Sequence, residues 1–374
     1  MPLLLTPSSL AHADYWLSLL DPKLQQRLTI GGSVPIDAAA NAPSLDASSM
    51  QALRAHLLQR GWMASAAVPA IQAIDTELLL STIRALKARG WPPVFAFVFD
   101  EFWSVFASIW QLMATVLDDA NVELEPSFFV YALEAPGSTP AVHGKRFTYL
   151  GGNFGLPHRD HSHTEANDEH GNPKIVSVWI PVTDATIENG CMYVVDKVRH
   201  GAFARIKEFD RLLLGSLQCV LLDLKEDDAN FDKPETYAHM RSALREPDHF
   251  ERTPPGEPTP FSTRLRFDLS AARPLIVPAA STCAWFGNLI HWGSRCTRYA
   301  HTPRVSITCT FRRKDARPTH LQGEMGSLKR SEISVRAVAY SSSQPGLSQY
   351  LVVAFMLTDT FIVCSISDWI SACN

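Results

Sequence analysis

The chain has 374 residues, and its 34 Lys and Arg residues nearly balance its 38 Asp and Glu residues to give a net charge of -4. This length is enough to bury a full hydrophobic core. The near balance of charge argues against a nucleic-acid-binding surface. The charge balance therefore predicts no nucleic-acid partner. Separately, we expect a small-molecule substrate and a monomer or a weak homo-oligomer.

The cysteines and the chain ends bear on the cellular location. The seven cysteines are scattered and none forms a CxxC pair. This spacing indicates neither a disulfide framework nor a zinc knuckle, and reduced thiols are the simplest interpretation. The apolar residues 1–5 lack a basic leader, and the last residues, 371–374, are not a peroxisomal address. A cytoplasmic location is the resulting expectation.

The first third of the chain predicts helices. Residues 1–45 are rich in Ala, Ser and Pro, and we expect an irregular lead-in there. Helical periodicity begins near Ser48 and stops at Gly61, a natural C-terminal cap. Further helices are predicted from Thr76 to Arg89 and, as one or two apolar helices, from Val94 to Leu117. The aromatic residues of the last stretch are expected to pack against a sheet rather than to hold a cofactor.

Strand patterns follow from residue 128 onward. Branched and aromatic residues predict strands at Phe128–Leu133, Arg146–Leu150, Ile175–Val182 and Val305–Phe311. Within Ile175–Val182, the even-numbered residues form an apolar face suited to a core, while the odd-numbered face is free to line a pocket. Asn189-Gly190 predicts a hairpin that leads into a strand at residues 191–195.

Two long segments interrupt or follow the strands. Residues 203–280 are charged and rich in proline, and we interpret them as an insertion that serves as a lid or selects the substrate. Residues 316–374 form a tail with an apolar part at 350–370. Because Asp359 and Asp368 interrupt that part, an amphipathic or poorly ordered extension is favoured over a membrane anchor. The predicted domain is therefore 46–315.

One constellation carries the chemistry. His158 and Asp160 are two residues apart and would share one face of an extended strand, within reach of one metal ion. His291 follows a later apolar run. Two histidines and one carboxylate form the facial triad that suits non-haem Fe(II) and leaves coordination positions open. On the last strand, Arg304 and Ser306 share the polar face, and an arginine fork with a hydroxyl suits the far carboxylate of a 2-oxo-acid cosubstrate.

Several neighbouring residues compete for these roles. His161, His163 and His170 offer a histidine-rich zinc loop, but His161 and His163 have the opposite strand parity to Asp160, so we expect solvent-exposed loop histidines. Arg295 and Arg298 lie in sequence just after His291 and are expected to be solvated or to help bind an acidic substrate. Trp179 faces the pocket or the core, and the sequence leaves both open.

The sequence resembles the phytanoyl-CoA dioxygenase family of Fe(II)/2-oxoglutarate oxygenases. The resemblance covers roughly residues 46–315 and rests on these segments: Pro157–Asp160, Val178–Gly190, His291 and Arg304–Ser306. It implies a mainly β fold, a double-stranded β-helix (jelly roll, cupin-like) with packed N-terminal α-helices. The implied cosubstrates are 2-oxoglutarate and O2, with succinate and CO2 as products.

The resemblance also implies a role for each matching residue. His158, Asp160 and His291 correspond to the Fe(II) ligands, Arg304 corresponds to the 2-oxoglutarate-binding arginine, and Trp179 corresponds to a position lining the cosubstrate pocket. The family's Pro-Gly-Ser-His turn is reduced here to its histidine, His200. Because the metal carboxylate is present, hydroxylation is expected rather than halogenation. The alternative is a non-catalytic or zinc-binding jelly-roll protein, and the substrate does not follow from the sequence.

Overall fold

A computed structural model describes residues 12–31, 45–65, 74–125, 128–133, 159–161, 163–198 and 269–316. Four predicted features lie wholly or largely outside these residues: the strand Arg146–Leu150, most of the 203–280 segment, the tail after residue 316, and His158. Within the described residues, no helix is both long and apolar enough to cross a membrane.

The helices of the first third follow the sequence pattern closely. They are α1 (Ala13–Ser18), α2 (Pro22–Gln25), α3 (Ala47–Arg60), α4 (Thr76–Ala88) and α5 (Asp100–Leu117), with a 3-10 helix at Pro93–Val98 before α5 and a short α6 (His163–Ala166) further along. The side chain of Asp46 accepts a hydrogen bond from the Ser49 N–H at the start of α3, and Gly61 ends that helix with a φ of 82°. The helices predicted from Ser48, from Thr76 and from Val94 are therefore confirmed.

The N-terminal lead-in is more regular than its composition indicates. Residues 13–25 form α1 and α2, so the expectation of irregular structure is wrong for this part of residues 1–45. Trp16 is buried and packs against Trp91 at 4.8 Å between ring centroids. Burial of this large aromatic ring stabilises the two short helices, which their own backbone hydrogen bonds would not hold in water.

The strands form two antiparallel sheets. They are β1 (Trp62–Ser65), β2 (Glu123–Leu124), β3 (Phe129–Ala132), β4 (Ile175–Pro181), β5 (Met192–Val195), β6 (Ala272–Leu275), β7 (Thr282–Phe286), β8 (His291–Gly293) and β9 (Val305–Arg312). The larger sheet has the order β1-β7-β4-β9-β2, with β3 also paired to β9, and the smaller sheet has the order β6-β5-β8. From β4 to β9 the larger sheet receives β4, β7 and β9 and the smaller sheet receives β5, β6 and β8, as in the predicted double-stranded β-helix. The 3-10 helix Leu269–Ala271 and β6 show that the end of the expected 203–280 insertion belongs to the scaffold.

The larger sheet has two different faces. On the outer face, Val176 lies opposite Phe311 in the strand register, and Phe311 packs on Trp110 of α5 at 5.1 Å between ring centroids. On the inner face, Trp285 packs on His291 of the smaller sheet at 4.7 Å between ring centroids. The predicted core face of Ile175–Val182 therefore meets the helices, and its odd-numbered face looks into the space between the sheets.

The Asn189-Gly190 turn joins the two sheets instead of closing a hairpin. β4 pairs with β7 and β9, while β5 pairs with β6 and β8, so the predicted hairpin is wrong. Gly190 has a φ of 100°, and a Cβ there would lie 2.6 Å from the Ser294 carbonyl oxygen. The residue pair therefore supplies the left-handed conformation that the turn needs, but the strand partners are set by contacts distant in sequence.

Candidate metal and cosubstrate site

The inner face of the larger sheet is organised in rows of side chains that lie opposite one another. One row contains Trp62 on β1, Trp285 on β7, Ser177 on β4 and Thr310 on β9. We call these four residues the metal row, because Ser177 holds one candidate metal ligand and Trp285 contacts another. Two residues further along β4, Trp179 lies opposite Cys283 and Thr308.

Asp160 is fixed at the metal row by both its backbone and its carboxylate. Its N–H donates to the Gly287 carbonyl at 3.1 Å, and its Oδ2 accepts a hydrogen bond of 2.5 Å from the Ser177 hydroxyl. The same oxygen lies 3.5 Å from His291 Nε2. Residues 159–161 form a bend rather than the predicted strand, yet the carboxylate still faces the space between the sheets.

His291 presents one nitrogen to Asp160 and anchors the other. Its Nδ1 lies 2.9 Å from the Leu289 carbonyl oxygen, which can only accept, so Nδ1 carries the proton. Nε2 is then the unprotonated nitrogen, the form in which imidazole binds metals. Two atoms bound about 2.1 Å from one metal at an angle of roughly 90–115° lie about 3.0–3.5 Å apart, so the 3.5 Å between Nε2 and Asp160 Oδ2 fits one shared ion.

The third predicted ligand, His158, falls outside the described residues. Among those that are described, no three His, Cys, Asp or Glu side chains gather closely enough to hold a metal. The structure thus brings together Asp160 and His291, two of the three predicted ligands. An imidazole nitrogen and a carboxylate are the donor types of the facial triad that binds non-haem Fe(II).

Arg304 is fully buried with part of its hydrogen-bonding capacity unused. Its exposed fraction is 0%, and its Nη1 donates to the Ser306 hydroxyl at 2.7 Å. Its Nε and Nη2 have no acceptor in the part of the chain that the structure describes. Burial lowers the pKa of Arg304 to about 10, so the guanidinium remains charged at neutral pH. A buried charge of this kind is costly unless an anion pairs with it, and two free donors on one fork match a carboxylate.

Trp179 lies between the two ends of this site. Its ring is completely buried, and the guanidinium carbon of Arg304 lies 5.5 Å from its centre. Its Nε1 also has no acceptor among the described residues. Two residues of a strand span roughly 6.6 Å, so Trp179 is separated from Ser177 by about the length of a short dicarboxylate. Trp179 is therefore both buried in the core and adjacent to the candidate cosubstrate pocket, so the two interpretations that the sequence left open are compatible.

Two of the neighbouring histidines are less exposed to solvent than the sequence predicted. His161 is 5% exposed and His163 is half-buried, so the prediction of solvent-exposed loop histidines is wrong for both. His170, Arg295 and Arg298 are exposed, as expected. The alternation of side chains along a strand did not predict the position of His161, because the backbone bends at this point.

A network of hydrogen bonds joins the segments that follow Asp160 and precede His291. The side chain of Asn167 donates to Asn288 Oδ1 at 3.0 Å, and Asn288 Nδ2 lies 3.1 Å from His163 Nδ1. The sequence analysis missed Asn288 and Ser177. Ser177 shares a strand face with Trp179 and was within reach of the same parity argument, whereas no sequence signal marks Asn288.

The fold and this site together define the class of non-haem iron and 2-oxoglutarate-dependent oxygenases. Residues 142–197 match the model of the family described as phytanoyl-CoA dioxygenase (PhyH). Over this segment the chain is similar to that family, whose members use Fe(II), 2-oxoglutarate and O2. The matched segment includes Asp160, β4 and β5, whereas His291 and Arg304 lie beyond it.

Comparisons with solved structures find matches at low sequence identity. The epimerase SnoN, solved with Fe3+, alpha ketoglutarate and nogalamycin RO, is 14% identical over 74% of this chain and 89% of its own, with a TM-score of 0.42. The apo non-heme monooxygenase ThoJ is 15% identical over 74% of this chain and 83% of its own, with a TM-score of 0.42. EvdO2 from Micromonospora carbonacea var. aurantiaca, complexed with 2-oxoglutarate, is 13% identical over 76% of this chain and 96% of its own, with a TM-score of 0.37. No curated protein matches the sequence.

Proposed function

We propose that this protein hydroxylates a small organic molecule in a reaction that consumes 2-oxoglutarate and O2 and forms succinate and CO2. The observation that carries the proposal is the buried Arg304. Two of its donor atoms lack an acceptor among the described residues, and its guanidinium lies over Trp179, on the strand whose Ser177 holds Asp160 beside His291. A cation buried in this way near two candidate metal ligands fits a cosubstrate that binds the metal at one end and Arg304 at the other.

Each predicted site residue has a part in this proposal. His158, Asp160 and His291 would hold Fe(II), while Arg304 and Ser306 would bind the far carboxylate of 2-oxoglutarate and Trp179 would line its pocket. When bound, the iron and its cosubstrates supply the oxidising power, through oxidative decarboxylation of the 2-oxo acid. The protein supplies the position of the carbon atom to be oxidised.

The surrounding residues prepare the site for these ligands. The Ser177 hydroxyl donates to the Asp160 oxygen that faces His291, which holds the carboxylate in one orientation. The Leu289 carbonyl fixes the tautomer of the neutral His291 imidazole. Because Trp179 and Trp285 are buried beside these groups, the site excludes water and strengthens electrostatic interactions within it.

A reconstitution experiment tests the proposal. Purified protein is loaded with Fe(II) and 2-oxoglutarate without oxygen, O2 is then admitted, and succinate is measured. Wild type is expected to form succinate, and Asp160→Ala and Arg304→Ala to form little or none. If wild type neither binds 2-oxoglutarate nor forms succinate, the proposal is wrong. With isotopically labelled O2, a hydroxylated product carries one labelled oxygen, which separates hydroxylation from other oxidations.

Two expectations about the whole protein remain predictions. We expect a cytoplasmic location and a monomer or weak homo-oligomer. Cell fractionation tests the first of these, and sedimentation at several protein concentrations tests the second.

A further inference from the structure

The metal row continues from Ser177 to the edge of the larger sheet through two tryptophans. Trp285 lies directly opposite Ser177, and Trp62 lies directly opposite Trp285 on the edge strand β1. Adjacent strands are about 4.8 Å apart, so the row runs roughly 10 Å from Ser177 to Trp62. We call Trp62 and Trp285 the tryptophan wall. It reaches from the partly exposed edge of the sheet to the ring of His291.

Both indole N–H groups of the wall are buried. Nε1 of Trp285 and Nε1 of Trp62 have no acceptor within the described ranges, and the Trp285 side chain is 2% exposed. Buried tryptophan N–H groups usually find a hydrogen-bond acceptor, because an unpaired buried donor is costly. The two donors therefore indicate an acceptor that comes from a bound molecule.

These donors lie away from the end of the site that suits the cosubstrate carboxylate. Arg304 pairs with Ser306, and Ser306 lies opposite Pro181, four residues along β4 from Ser177. The wall instead extends sideways from Ser177, across β7 to β1. A molecule on the wall would therefore lie beside the metal ligands without occupying the cosubstrate position.

The chemistry of the wall defines the kind of molecule. The inner face of β1 and β7 consists of Trp62, Ala64, Cys283 and Trp285, none of which is charged. Burial raises the pKa of Cys283, so its thiol stays neutral. Indole rings pack well against flat rings, and their N–H groups donate to oxygen. A charged ligand would leave its charge unpaired on this face.

We propose that the tryptophan wall binds the primary substrate, and that this substrate is a neutral, ring-containing molecule with a carbonyl or ether oxygen that accepts from an indole N–H. The inference rests on the proposed function, because it names the substrate class of the same site. The ring packs on the wall, and the indole donor sets which carbon faces Asp160 and His291.

Direct binding tests this inference separately from turnover. The full-length protein is loaded with redox-inert Mn(II) and 2-oxoglutarate and titrated with three sets of compounds. The first set contains neutral ring ketones and ethers such as tetralone and flavone, the second contains hydrocarbons of matching shape such as tetralin, and the third contains acyclic anions such as octanoate. We expect the ring ketones and ethers to bind roughly fivefold to tenfold more tightly than the hydrocarbons, the factor for one neutral hydrogen bond. The acyclic anions are expected not to bind.

Matched tryptophan variants locate the binding. Trp285→Phe and Trp62→Phe keep an aromatic ring but remove the N–H, so at least one is expected to reduce ring-ketone affinity to that of the hydrocarbons. Trp110→Phe is the control, because Trp110 lies on the helix side of the larger sheet. The inference is overturned if no ring ketone binds, if the acyclic anions bind more tightly, or if ring-ketone affinity survives in both wall variants. Parallel titration with 2-oxoglutarate separates the two proposals: its failure to bind wild type refutes the proposed function, whereas its binding without ring ketones refutes only the substrate class.

Discussion

Replacement of Arg304 by methionine tests the cosubstrate site most directly. The substitution removes the guanidinium and leaves a flexible apolar side chain over Trp179. Arg304 is completely buried, and two of its donor atoms lack an acceptor within the described part of the chain. Because its pKa of about 10 keeps it charged at neutral pH, the variant removes a buried charge whose one hydrogen-bond acceptor within the described ranges is the Ser306 hydroxyl.

The variant is expected to change stability and binding in opposite directions. Replacing a poorly paired buried charge with an apolar side chain is neutral or stabilises the ligand-free protein by about 1–2 kcal/mol. Two charge-assisted hydrogen bonds to a carboxylate are together worth about 3 kcal/mol or more, so 2-oxoglutarate affinity should fall at least roughly 150-fold.

Calorimetry with Fe(II) under anaerobic conditions measures the affinity, and thermal unfolding measures the stability. At a concentration of 2-oxoglutarate about 100 times its Kd, wild type gains about 2.7 kcal/mol of stability, and Arg304→Met should gain almost none. The exposed Arg298→Met is the control and should behave as wild type. The reasoning is refuted if Arg304→Met binds 2-oxoglutarate normally, or if it destabilises the ligand-free protein by several kcal/mol, since the charge would then already be paired.

Three further substitutions probe the scaffold of the site. Ser177→Ala should weaken Fe(II) binding by about tenfold to a hundredfold in a metal titration, because the Asp160 carboxylate loses its hydrogen bond, and wild-type affinity would show that the hydroxyl does not orient it. Gly190→Ala should lower the free energy of unfolding by about 1–3 kcal/mol more than Gly90→Ala in denaturant titrations. Both glycines have positive φ, but only at Gly190 does an added Cβ meet backbone and side-chain atoms, so equal losses would contradict the steric account. Arg312 forms buried ion pairs with Glu123 and Glu125, so Arg312→Met should lower the free energy of unfolding by about 3–5 kcal/mol. A decrease below about 1 kcal/mol would show that these carboxylates do not depend on Arg312.

Much of the fold follows from local sequence signals. Asp46 and Gly61 bound a helix because each satisfies backbone groups that the helix itself leaves unpaired. In β4, the alternation of Val176 and Val178 with Ser177 and Trp179 separates a core face from a pocket face. Such signals act over a few residues, and tertiary contacts did not override them here.

The departures from prediction arise where distant contacts decide. The position of His161 depends on Gly287, whose missing side chain leaves room for the imidazole ring: a Cβ there would lie 2.5 Å from His161 Cδ2. No pattern local to residues 158–163 contains that information. The Asn189-Gly190 turn was predictable, but its role in joining two sheets was not, because the pairing partners β6 and β8 come at least 77 residues later.

The N-terminal error has a different cause. Trp16, Leu20, Leu24 and Leu28 recur every four residues and are all buried. This spacing is the helical pattern, whereas the Ala and Pro content of the surrounding residues is typical of irregular structure. Periodicity was therefore the better predictor here than average composition.

For the candidate site, the sequence predicted individual residues better than their surroundings. The structure places Asp160 within 3.5 Å of His291, although the two residues are 131 positions apart. The supporting contacts of Asn288 came from the fold alone. Ligand types are visible in a sequence because their chemistry restricts them, whereas many residue types can supply a supporting hydrogen bond.

The alignment of Trp62, Trp285 and Ser177 across three strands has an evolutionary consequence. Side chains alternate along a strand, so one residue inserted before Trp285 in β7 would turn that tryptophan toward the helices and bring Phe286 into the site. Substitution can therefore alter the site one position at a time, whereas a change in the length of β7 would replace a whole face at once. Descendants of this gene should vary freely in length between β5 and β6 while keeping β7 constant in length.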